Sequence, residues 1–213
     1  SDVVPAGVGM IAEVLEDRCA VSVELKVFKF PEDLAAALEN DFPDILGVSN
    51  YVWNERLSSQ FARKIKQANP ATVTVMGGPN CPTEPDEQER FLKDNSWIDI
   101  FILKEAELAF VSLVESLAKN HMNPAHVDLT LCPNIIRLDA NGKLQASTQT
   151  QRMMDLQGIA SPYLSGRMDE FLDGRLLPVI QTNRGCPFSC AFCTEGQLFW
   201  SKVRRKSETT IRD

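Results

Sequence analysis

The chain has 213 residues, is 44% hydrophobic and 24% charged, and carries a net charge of -7. That is ordinary for a soluble globular protein and enough for a real core, while the acidic balance argues against general nucleic-acid affinity. No apolar run nears the roughly 18 residues of a membrane helix. No signal-peptide pattern opens the chain, and six cysteines, three of them scattered, do not form the even framework of a small secreted domain. The expected setting is a reducing cytoplasm, with neither membrane nor nucleic acid as partner.

Pro5 opens an expected helix over 5–18 with Val8, Ile11, Ala12, Val14 and Leu15 as its apolar stripe. Val21–Phe28 alternates apolar and polar residues and reads as an edge strand. A short helix follows from Pro31. Asp44–Ser49 is a nearly continuous apolar run suited to a buried parallel strand. Then come a helix at 54–68, a strand at 72–76 ending in Gly77-Gly78-Pro79, a helical piece at 84–94, a strand near 98–103 and a periodic helix at 105–119. Strands alternating with helices predict an α/β fold: a doubly wound, mostly parallel, Rossmann-like (flavodoxin-like) sheet, whose ligands sit outside the carboxyl ends of the strands.

The expected organisation is a ligand-binding domain over 1–120, a linker over 121–176 and a further domain beginning at 177. Within the linker, Pro133–Ala146 reads as a hairpin around Asp139-Ala140-Asn141-Gly142. The stretch 148–176 reads as an extended segment wrapping the first domain. Leu177–Thr182 reads as a strand feeding the loop Arg184-Gly185-Cys186-Pro187-Phe188-Ser189-Cys190-Ala191-Phe192-Cys193. Beyond it, Ser207 is placed to cap a short final helix. The basic run Lys202–Lys206 reads as a solvated loop, or as a face for an anionic group.

The loop has the spacing C-x3-C-x2-C, which gathers three thiolates as a metal centre needs. A zinc knuckle or an incidental cysteine cluster are the plainer readings. The loop resembles the signature of radical S-adenosylmethionine enzymes. That resemblance implies that Cys186, Cys190 and Cys193 ligate a [4Fe-4S] cluster with one open iron. S-adenosylmethionine would chelate that iron and be cleaved reductively, Phe192 would contact the adenine, and an electron donor such as flavodoxin or ferredoxin would serve the site.

A second resemblance covers residues 5–118. Pro5-Ala6-Gly7-Val8-Gly9, Asp44–Ser49, Val75–Pro79 and the acidic Glu105-Ala106-Glu107 are similar in order and spacing to the cobalamin-binding domain that precedes many radical S-adenosylmethionine domains. It implies that Ser49, Asn50, Tyr51, Gly77, Gly78 and Pro79 line a corrinoid, with Ser49 on its nucleotide loop and Gly77 and Gly78 leaving room for that loop. Lys104 and Ala106 stand where the family has glycines, and helix-start acids are also ordinary capping residues. The family's central first strand has only four residues available ahead of Pro5, and its lower-axial histidine loop is absent. His121 and His126 read as surface residues.

Together the resemblances imply the N-terminal part of a radical S-adenosylmethionine enzyme acting on a small-molecule substrate, with methyl transfer among its outcomes. A barrel needs more βα units than follow Cys193, so the chain is expected to be inactive alone. A non-catalytic Rossmann-like binding or interaction module with a cysteine metal loop is the rival reading. A flavodoxin-like redox domain ranks below both, for want of a phosphate loop after a first strand.

Overall fold

The computed structural model describes residues 2–193, 196 and 198–212. The chain divides into two units. The first is Val14–Arg152; the second joins Asp2–Glu13 to Met153–Asp213. Helix α1 (Ala6–Arg18) contributes to both. No described helix is long and apolar enough to cross a membrane.

The first unit is a five-stranded sheet in the order β1 (Ile45–Ser49), β2 (Val73–Gly77), β3 (Ile100–Ile102), β4 (Ile135–Leu138), β5 (Leu144–Ala146). β1, β2 and β3 are parallel; β4 and β5 add an antiparallel hairpin on the β3 side. The helices are α2 (Pro31–Asn40), α3 (Glu55–Ala68), α4 (Pro85–Asp94) and α5 (Glu107–Lys119). α2 and α4 start the way their sequences dictate: proline in the first turn needs no amide partner, and the acids beside it meet the positive end of the helix.

Strand pleating sorts the core into two faces. On one, Val73, Val75, Ile100, Ile102 and Ile135 pack with Ala109, Leu113 and Leu117 of α5. On the other, Met76, Phe101 and Ile136 pack with Leu92 of α4, and Phe91 meets Phe101 edge-on at 5.8 Å. Truncating a fully buried leucine such as Leu113 costs about 2–5 kcal/mol. An exposed ion pair contributes about 1 kcal/mol or less, so burial between helices and sheet holds this unit together. Buried Thr74 stays satisfied: its hydroxyl reaches Trp97 O and Asp99 Oδ2, and Lys66 meets the same carboxylate at 2.6 Å.

The hairpin forms as its sequence predicts. Asp139 Oδ1 accepts from the amides of Asn141 and Lys143 at 2.8 and 2.9 Å, and Gly142 takes φ 71. Glu89 of α4 ties it down, its carboxylate accepting from Lys93 Nζ at 2.6 Å and from the Leu144 amide at 3.0 Å. The Lys93 bond first, then the Leu144 amide, pull the Glu89 carboxyl from the usual 4.5 to about 2. A folded pKa below the unfolded one stabilises fully above pH 4.5 and is lost as pH falls toward 2. Thermal melts across that window should show an acid-dependent loss in the native chain that Glu89→Gln lacks. Equal slopes in both would refute this role.

Three expectations are corrected. Val21–Phe28 is not a strand: its residues alternate in exposure, but they join no ladder in the sheet, and an extended segment without a neighbour's backbone is solvated instead. Leu177–Thr182 is likewise extended rather than a strand, held by one parallel bridge between Val3 and Leu177. Leu177 and Ile180 are largely exposed because no sheet receives them. In α1, Val8 is exposed, and Ala6 and Met10 take its expected place in the core.

In the second unit Met153, Leu156, Ile159, Met168, Phe171 and Leu176 are buried. Glu13 is buried there, its carboxylate accepting from Ser165 Oγ at 2.7 Å and from Arg167 Nε. A two-residue ladder joins β6 (Asn183–Arg184) to β7 (Arg204–Arg205), and Ser207 caps α6 (Glu208–Arg212) through the Thr210 amide at 3.1 Å.

Candidate functional site

The carboxyl ends of β1, β2 and β3 open into three loops: 50–54, 78–84 and 103–106. Ser49 ends β1. Its hydroxyl accepts from Asn54 Nδ2 at 2.7 Å, which leaves the hydroxyl proton for a ligand, and its carbonyl accepts from Ser58 Oγ. Tyr51 is exposed, with its ring stacked on Trp53 at 4.6 Å and 14°. Pro79 is exposed and Gly77 half-buried. These residues lie at the carboxyl ends of β1 and β2 or in the loops that follow them.

Asn50 plays a different part. It is fully buried; its amide donates to Gly77 O at 2.6 Å, its carboxamide donates to Asn80 O at 2.7 Å, and its carbonyl accepts from Asn80 N. It straps the β1 loop to the β2 loop. Gly78 lies under that strap. It takes φ 132, and a Cβ there would stand 2.4 Å from the Asn50 carbonyl oxygen. Its glycine is therefore required by the neighbouring backbone, whatever ligand lies beyond. At Gly77 a Cβ would meet Ile102 O at an ordinary 3.4 Å.

Asn54 and Asn80 complete this network, with Asn80 Nδ2 also reaching Glu55 at 3.1 Å. Sequence reasoning missed both, although asparagine beside a tight turn is a usable cue. Glu105 and Glu107 are both buried at the start of α5, with Arg152 Nε 4.0 Å from the Glu105 carboxylate. The residues after α5 climb back along it, Asp128 reaching Ser116 and Cys132 reaching Ser112. His121 and His126 precede that climb, at the end of α5 opposite the ligand loops. The donor set fits a corrinoid: a free hydroxyl proton, a stacked aromatic pair and no crowding at Gly77. It supplies no histidine for the metal.

In the second unit the cysteine loop is a backbone device. Gly185 takes φ 100, and a Cβ there would lie 2.6 Å from Lys202 O and 2.7 Å from Trp200 O. That close approach lets the Cys186 amide donate to Trp200 O at 2.9 Å. Cys193 N donates to Cys190 O, and Gly196 N donates to Cys193 O, with Gly196 packed against Cys190. Cys186 is half-buried, Cys190 and Cys193 are exposed, and Phe192 is 93% exposed. Among the described residues no three His, Cys, Asp or Glu side chains converge on one point. The donor set nevertheless fits an iron–sulfur cluster: three soft thiol ligands on one turn, two of them open to an incoming ion.

The model of the B12 binding domain family matches residues 1–114. The chain belongs to the B12 binding domain family. It is 33% identical over 180 residues to the 2-(S-pantetheinyl)-carbapenam-3-carboxylate methyltransferase of Streptantibioticus cattleyicolor, covering 81% of this chain and 25% of that one. It is 30% identical over 177 residues to the cobalamin-dependent radical SAM methyltransferase TokK of Streptomyces tokunonensis, covering 80% and 25%. The chain thus spans about a quarter of the length of these curated relatives. In fold it resembles OxsB, a cobalamin-dependent S-adenosylmethionine radical enzyme, at a TM-score of 0.69 and 19% identity, over 97% of this chain and 28% of that one. The resemblance read from the motifs, to radical S-adenosylmethionine enzymes with a B12-binding domain, is the one these comparisons return.

Proposed function

We propose that this chain carries the cobalamin site and the cluster loop of a radical S-adenosylmethionine methyltransferase that acts on a small-molecule substrate in the cytoplasm. The observation that carries the reading is the pairing, in one chain, of a B12-family domain with a C-x3-C-x2-C turn built on Gly185 and Gly196. Ser49, Tyr51, Gly77 and Pro79 would hold the corrinoid, with Asn50 and Gly78 shaping the floor beneath them. Cys186, Cys190 and Cys193 would hold a [4Fe-4S] cluster, and Phe192 would meet the adenine of S-adenosylmethionine. When bound, the cluster supplies the electron that cleaves S-adenosylmethionine, and the corrinoid supplies a methyl carrier. A flavodoxin or ferredoxin would deliver that electron. The residues' own part would be to bind and to orient: the Ser49 hydroxyl would donate a hydrogen bond to the ligand, and the Tyr51–Trp53 pair would cover apolar ring surface.

Titrating hydroxocobalamin into the chain should change the ligand's visible spectrum and raise the melting temperature. Neither change at millimolar ligand would sink the cobalamin reading.

A further inference from the structure

The residue that opens α3 spends its side chain away from the helix. Asparagine is among the preferred residues at a helix N-terminus because its side-chain oxygen can accept from the amides of the first turn. Asn54 holds that position at α3 and makes no such bond. Its carboxamide turns back across the β1 loop instead. Oδ1 accepts from the Tyr51 amide at 2.7 Å, and Nδ2 donates to Ser49 Oγ at 2.7 Å. The helix forgoes a side-chain cap, and Ser49 and Tyr51 receive the two contacts.

Those contacts fix the polarity of the serine. A backbone amide can only donate, so the Asn54 atom facing Tyr51 N is the oxygen, and the atom facing Ser49 is the amide nitrogen. That nitrogen has no capacity to accept. The Ser49 hydroxyl is therefore the acceptor in this bond, and its proton points away from Asn54. Among the described residues no atom takes that proton. Ser49 is half-buried at the carboxyl end of β1, and its carbonyl is already held by Ser58 Oγ at 2.7 Å. A serine hydroxyl left to itself can turn either its proton or a lone pair toward a ligand. Beside Asn54 the proton is the group turned out.

We propose that Asn54 is a positioning residue of the corrinoid site: it sets the Ser49 hydroxyl as a donor, so that the site selects a corrinoid whose nucleotide loop presents a hydrogen-bond acceptor there. The inference rests on the cobalamin reading above and names the residue that gives this contact its direction.

Asn54→Asp has nearly the same shape and keeps an acceptor for Tyr51 N, but it replaces the donor by an oxygen that draws the Ser49 proton to itself. Titrations on the 213-residue chain compare hydroxocobalamin with aquacobinamide, which has the corrin ring but no nucleotide loop. Asn54→Asp should weaken hydroxocobalamin binding about tenfold, as for the loss of one hydrogen bond, and change aquacobinamide binding by less than about twofold. Its melting temperature should not fall below that of the native chain, because a negative charge suits the start of α3. Ser49→Ala should show the same selective loss without touching Asn54. Adding Asn54→Asp to Ser49→Ala should then change hydroxocobalamin binding by less than about twofold, because both act through one hydroxyl. A residue that only held the loop would leave hydroxocobalamin binding intact in Asn54→Asp, since the Tyr51 contact survives. Undiminished hydroxocobalamin binding in either single variant, equal losses for both ligands, or additive losses in the double variant would each overturn the inference while leaving the cobalamin reading in place. A native chain that binds neither ligand overturns both.

Discussion

Gly78→Ala is expected to destabilise the first unit by at least about 3 kcal/mol and to abolish corrinoid binding with it. The added Cβ would stand 2.4 Å from Asn50 O and 3.0 Å from Asn50 N. Those atoms cannot retreat cheaply. The Asn50 amide is bonded to Gly77 O and the Asn50 carbonyl to Asn80 N, so movement breaks the strap between two loops. Gly77→Ala, with its 3.4 Å approach to Ile102 O, is expected to cost about 1 kcal/mol or less. Thermal melts of both variants without ligand decide the matter. If Gly78→Ala melts like the native chain and loses only hydroxocobalamin binding, the glycine serves the ligand's path and not the backbone.

Changing any one of Cys186, Cys190 or Cys193 to alanine is expected to remove most of the iron and acid-labile sulfide that anaerobic reconstitution loads. The native chain should then approach about four of each, as for a [4Fe-4S] centre. Cys19→Ala is the control and should load like the native chain. Purified in air, the native chain should hold little iron, because Cys190 and Cys193 are exposed and oxidise readily. Hydroxocobalamin binding should be untouched in all three loop variants. Iron content that survives every single substitution would mean the triplet is not the ligand set.

The sheet was legible where residue type and position agreed. Ile100–Ile102 is apolar on both faces because helices cover both, and a continuous apolar run says so directly, while Val73–Met76 departs from that pattern only at Thr74. The hairpin was legible from Asn141-Gly142, whose chemistry is local. Val21–Phe28 misled because alternation reports one-sided cover and does not report a paired neighbour. The role of Asn50 was hidden for a related reason. Its partner, Asn80, lies 30 residues away, and no spacing in the sequence predicts where a buried carboxamide spends its hydrogen bonds.

The second unit is built from the two ends of the chain, and Glu13 waits for Ser165, 152 positions further on. A ribosome adding about 5–20 residues per second needs about 8–30 s to make that partner. During that interval Val14–Arg152 can emerge and bury its own core, while Asp2–Glu13 stays unpaired with its carboxylate hydrated. The sheet is thus born before the cysteine loop. Its thiols emerge beside a domain that can already have folded, and a pulse-labelled nascent chain should acquire protease resistance over Val14–Arg152 before it does so from Met153 onward.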